Sequence, residues 1–119
     1  EDLKQESKTL LDRINGIVER FDLVSKESTI TLLEKEAAQP GYWDDTRTAQ
    51  NKMRQLGRVK ETVDLWRGLQ RESTGLLELI ELAILEGDLT LEEEVQAELD
   101  NLKSNLAQST ATTIFSQNL

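Results

Sequence analysis

The chain has 119 residues with 23 acidic against 14 basic side chains, a formal net charge of −9, 37 % hydrophobic and 4 % aromatic residues. That length suits one domain, and the acidity excludes capture of phosphate backbones by bulk attraction. The absence of Cys and His removes disulfides, thiolate chemistry, the commonest general base and the commonest zinc ligand.

The first segment, residues 1–21, carries Leu3, Ser7, Leu10, Ile14, Ile17 and Phe21 at spacings of four and three, with Leu11 and Val18 beside them. That spacing predicts an amphipathic helix with a near-heptad seam. In the second segment Leu23, Ile30, Leu33 and Ala37 share a face, and the helix must stop before Pro40. The pattern leaves open whether this helix continues from the first.

A third, long helix is expected from about Asp45, with Asp44 or Asp45 as N-cap and Gly87 as the stop. Its stripe reads Ala49, Met53, Leu56, Val59, Val63, Trp66, Leu69, Leu77, Ile80 and Ile84. The stripe falters at Gln70 and Ser73, so a bend is predicted over Glu72–Gly75. Thr90 and Glu93 have capping-box spacing, which opens a fourth helix with Leu91, Val95, Leu99, Leu102 and Leu106 inward. The tail from Ser109 reads as losing helical character and carries no stop signal, which predicts a chain that continues. The fold expected is all-α: an elongated antiparallel bundle of three to four helices with coiled-coil-like packing.

Pro40, Gly41, Tyr42, Trp43, Asp44 and Asp45 read as a corner between helices. Two adjacent rings in an aromatic-poor chain predict a plug over the bundle end, with an exposed aromatic contact as the alternative. Asp44 and Asp45 are neighbours whose side chains diverge, so they do not form the convergent carboxylate pair of acid–base catalysis. Glu92, Glu93 and Glu94 suit a helix N-terminus rather than a metal. Lys60 and Asp64 have the spacing of an ordinary surface pair. No phosphate loop and no catalytic set is present, so no enzyme, cofactor or metal is expected.

Leu33, Glu34, Glu36, Gln39, Pro40, Tyr42, Trp43, Asp44, Asp45, Ala49 and Gln50 together resemble the N-terminal region of bacterial peptide chain release factor 2, a class I translation release factor. The later leucine-rich helices and Ile114–Gln117 extend the resemblance over nearly the whole chain, though only the corner is specific. The family often has Pro where Thr46 stands and Gly where Gln117 stands. Its stop-codon-reading and Gly-Gly-Gln loops belong to later domains, and no residue here matches them.

The resemblance implies residues 1–113 as the N-terminal helical domain and 114–119 as the start of a linker to a decoding and hydrolysis domain. It also implies a cytoplasmic or organellar-matrix factor terminating at UGA and UAA codons. Its partner is the ribosome, near the stalk base of the large subunit, and this piece binds without catalysing. The chain is expected to be a monomer; the competing reading is a stand-alone helical protein-interaction module. Arg47, Arg54, Arg58 and Lys60 form the densest basic stretch and are the candidate ribosome contacts, unless they pair with glutamates of neighbouring helices.

Overall fold

A computed structural model describes residues 2–117. Four α-helices account for nearly all of them: α1 (Asp2–Arg20), α2 (Leu23–Ala37), α3 (Thr46–Glu86) and α4 (Glu92–Gln117), with one 3-10 turn at Tyr42–Asp44. The molecule measures 62 × 27 × 20 Å. Its long axis matches a 41-residue α3 at about 1.5 Å per residue.

Helices α1 and α2 are separate. Asp22 takes a left-handed conformation (φ 51°) and caps α2 by accepting from the Ser25 amide. The freed end of α1 is capped from the other side, where Lys26 Nζ donates to the Phe21 carbonyl at 2.6 Å. Both helices lie along α3. Lys4 meets Glu81, Asn15 meets Gln70, Glu27 meets Arg67, Glu34 meets Lys60 and Glu36 meets Lys52. Positions therefore rise along α1–α2 as they fall along α3. Helix α4 returns beside α3 and α1, with Lys103 near Glu6 and Trp66 bonded to Thr113. One half of the rod is thus three helices thick. The half holding the corner is α2 against the start of α3.

The buried positions of α4 are Val95, Leu99, Leu102, Leu106, Ser109 and Thr113, an unbroken alternation of four and three. The last two are polar, which is why the apolar pattern alone misread this tail as non-helical. The expected bend in α3 is also absent. Ser73 is 1 % exposed and continues the seam between Leu69 and Leu76, while Leu77, assigned inward from the pattern, lies only half-buried. A small side chain at a buried position looked like a gap in the stripe. Gly87 stops α3 as expected, left-handed at φ 67° with its amide bonded back to Ile84. The Thr90–Glu93 capping box does not form; the Thr90 hydroxyl and amide both donate to Asp88 Oδ1, at 2.6 and 2.9 Å.

The core at mid-rod centres on Trp66, which is 0 % exposed. Its indole N–H donates to Thr113 Oγ1 at 2.9 Å, and Phe21 packs edge-on with ring centroids 5.6 Å apart. A buried indole needs an acceptor, and α4 must reach Thr113 to supply it. The ring that pins this rod is therefore Trp66 and not Trp43.

Candidate functional site

The corner forms as its residues dictate. Helix α2 ends at Ala37, and the amides of Ala38 and Gln39 bond back to the Glu34 and Glu36 carbonyls ahead of an exposed Pro40. Gly41 sits at φ +82°, a left-handed backbone that favours glycine, and a Cβ there would stand 3.0 Å from Asp44 Oδ2 and displace that carboxylate. Asp45 caps α3 as expected: Oδ1 accepts the Thr48 amide at 3.2 Å and Oδ2 the Thr48 hydroxyl at 2.8 Å. The Thr48 bonds hold the Asp45 carboxyl below its ordinary value, so it stays charged at the positive end of α3. Thr46 donates to the Trp43 carbonyl at 3.4 Å.

The two rings divide. Tyr42 is half-buried and donates its hydroxyl to the Ala49 carbonyl at 3.3 Å. Trp43 stacks edge-on against Tyr42, centroids 5.5 Å apart, and remains 53 % exposed. The aromatic plug is thus a correction: Tyr42 is anchored at the corner, and Trp43 faces solvent.

Just past the corner, residues 46–60 hold five basic side chains and no acidic one. The structure splits these five by direction. Lys52 and Lys60 reach across to Glu36 and Glu34 at 2.7 and 3.0 Å. The Glu36 hydrogen bond raises the Lys52 pKa. Lys60 therefore pairs with Glu34 of α2 in place of the expected Asp64.

Arg47, Arg54 and Arg58 do not follow it. At 100° per residue they fall within about 40° of one another, on the side of α3 opposite Leu56 and Val63. All three are exposed, and among the described residues none makes a salt bridge. Arg54 donates to Asn51 Oδ1 at 3.3 Å, which leaves its charge uncompensated. The outer face of α3 is consequently a short positive stripe on a negative molecule.

Cross-helix partners invisible to one-helix patterns hold that stripe on a rigid base. Arg67 grips Glu27 with two bonds of 2.7 and 3.1 Å, donates to Gln70 at 2.7 Å, and Gln70 donates to Asn15 at 2.8 Å. This chain ties α1 and α2 to α3 on both sides of the Asp22 break. The Arg67 hydrogen bond lowers the Glu27 pKa, and Glu27 raises that of Arg67. Among the described residues no three Asp or Glu side chains come close enough to hold a metal ion, and no helix is long and apolar enough to cross a membrane. The surface presents charge.

The PCRF domain matches residues 26–117, from α2 to the end of α4. Peptide chain release factor 2 of Chloroflexus aggregans is 39 % identical over 107 residues, covering 90 % of this chain and 29 % of that protein. The same factor of Thermomicrobium roseum is 36 % identical over 99 residues, 83 % of this chain and 26 % of that protein. That of Streptomyces avermitilis is 30 % identical over 115 residues, 97 % of this chain and 31 % of that protein. The chain spans under a third of the length of these curated relatives.

Proposed function

The chain belongs to the PCRF domain family, and on that premise we propose that it is the N-terminal, ribosome-associating domain of a peptide chain release factor terminating translation at UGA and UAA codons. Similarity to release factor 2 over 83–97 % of the chain is the observation that carries this reading. The piece acts by binding, as a monomer, near the stalk base of the large subunit in the cytoplasm or an organellar matrix. Decoding and hydrolysis belong to later parts of the parent chain, with residues from Ile114 onward leading toward them.

The contact face is the stripe of Arg47, Arg54 and Arg58. Unpaired guanidinium groups on one rigid helix face suit ribosomal phosphates, since each neutralised phosphate releases counterions and makes binding salt-dependent. The acidic remainder of the molecule repels the same phosphates, which restricts binding to the stripe and fixes orientation. The Asp45-capped start of α3 and the Arg67 clamp hold the helix still, so little ordering cost falls on binding.

Ribosome affinity across a salt series tests this, comparing wild type with Arg54→Glu/Arg58→Glu. The variant should bind more weakly, and the slope of log affinity against log salt should drop by about one for each phosphate that is no longer neutralised. Unchanged affinity and slope would remove the stripe from the interface. Absence of any ribosome binding by the wild-type chain would remove the reading itself.

A further inference from the structure

Between Arg71 and Lys103 the chain carries ten acidic residues and no basic one. The same span holds four of the large apolar side chains that remain in water: Leu82 at 51 % exposure, Ile84 at 44 %, Leu85 at 83 % and Leu89 at 80 %. Leu82 and Leu85 sit on the outer face of α3, while Ile84 and Leu89 lie where α1 begins, α3 ends and α4 begins. A cavity of about 240 Å³ opens there, walled by Leu3, Ile80, Ile84, Leu89, Leu91 and Val95. Asp2, Asp88 and Glu92 stand at the same opening. Thr90 donates twice to Asp88, which depresses its pKa and keeps the carboxylate charged.

Apolar side chains exposed at the rim of an apolar hollow, as Ile84 and Leu89 are, are costly to leave in water and are the usual mark of a contact surface. Charge selects the occupant. A second copy of this chain would bring two acidic ends together, and an anionic membrane would be repelled in the same way. A basic polypeptide is attracted. Ile84 and Leu89 form an apolar lip, and the cavity accepts an apolar anchor from the facing segment, as in helix-in-groove recognition.

We propose that this end of the bundle docks a basic, leucine-bearing amphipathic segment of a partner protein, with its apolar anchor in the cavity and its Lys or Arg residues over Asp2, Asp88 and Glu92. The site is distinct from the arginine stripe. It takes the opposite charge and needs no ribosome for its test.

The probe is a synthetic amphipathic helix of leucine and lysine, titrated into the chain by calorimetry and by amide chemical shifts. The wild type should bind it, with shifts concentrated over residues 80–95 and with affinity falling as salt rises. Ile84→Asp/Leu89→Asp alters positions that are 44 % and 80 % exposed, so the circular dichroism spectrum should persist while affinity drops roughly tenfold or more. That variant is two charges more negative, so mere attraction of a cation to an acidic protein would make it bind more tightly. Equal or tighter binding by the variant overturns the proposal. So does a leucine–glutamate helix that binds as well, or shifts centred on Glu34 and Glu36. A wild-type dimer in sedimentation that the variant dissolves would give the surface to a second copy and overturn it too.

Discussion

Thr113→Val should cost more stability than its size suggests. The substitution keeps the side-chain volume but removes the acceptor 2.9 Å from the Trp66 indole N–H. Trp66 is 0 % and Thr113 3 % exposed, so no solvent replaces the missing bond. An orphaned buried donor costs about 1–3 kcal/mol. For a chain of 119 residues the unfolding entropy is about 0.25 kcal/mol/K, so the midpoint should fall by roughly 4–12 °C. Thr113→Ser is the control. It keeps the hydroxyl and deletes one methyl, worth about 0.8 kcal/mol. Thermal unfolding of both variants, followed by tryptophan emission in a Trp43→Phe background, reports on Trp66 alone, because the chain has only two tryptophans. If Thr113→Val is no less stable than Thr113→Ser, the bond does not hold α4 to α3 and the account of the core is wrong.

Ser73→Ala should stabilise the chain by about 0.5–1.5 kcal/mol, visible as a higher urea midpoint. Among the described residues the buried Ser73 hydroxyl has no hydrogen-bond partner, and Ala is the better helix former. A chain ending at Thr113 should melt close to the full chain, and one ending at Thr112 well below it; equal melting would move the end of the packed domain away from Thr113. Glu27, Asp45 and Asp88 are all held below their ordinary values of 4.5, 3.8 and 3.8 by hydrogen bonds from Arg67, Thr48 and Thr90. Their contribution is complete above those ordinary values and is lost as pH falls through the lower folded-state values, so melting temperature should drop in that acid range, and less steeply in Glu27→Gln. Arg54 and Ile84 lie about 45 Å apart on one helix. Arg54→Glu/Arg58→Glu should therefore leave peptide docking at the acidic end unchanged, and weaker docking there would show that the two surfaces are not independent.

The helical class and most boundaries were legible because each rests on local chemistry. Gly87, Asp45 and the stop before Pro40 act within a few residues of themselves, and the leucine stripes repeat along one helix. The failures share one physical cause. Ser73, Ser109 and Thr113 occupy buried seam positions with polar side chains, so a reading by hydrophobicity saw a bend and a fraying tail where packing continues. What decides such a position lies on another helix, as the Trp66 indole does for Thr113. No spacing within α4 encodes that partner.

The candidate site shows the same division between what one helix states and what two helices decide. Arg47, Arg54, Arg58 and Lys60 look equivalent along the chain, four cations in a short run. Only the position of α2 separates them, because Glu34 and Glu36 claim Lys60 and Lys52. Those pairs are exposed and add little to stability. Their larger effect is on the surface: by cancelling the inward charges of this stretch they leave Arg47, Arg54 and Arg58 as its unpaired bases, on the outer face. At the other end Lys4 of α1 meets Glu81, and no base lies between Arg71 and Lys103 to cancel the remaining acids. A molecule of formal charge −9 thereby carries two faces of opposite sign, joined by a single unbroken α3, and each can select a partner that the other repels.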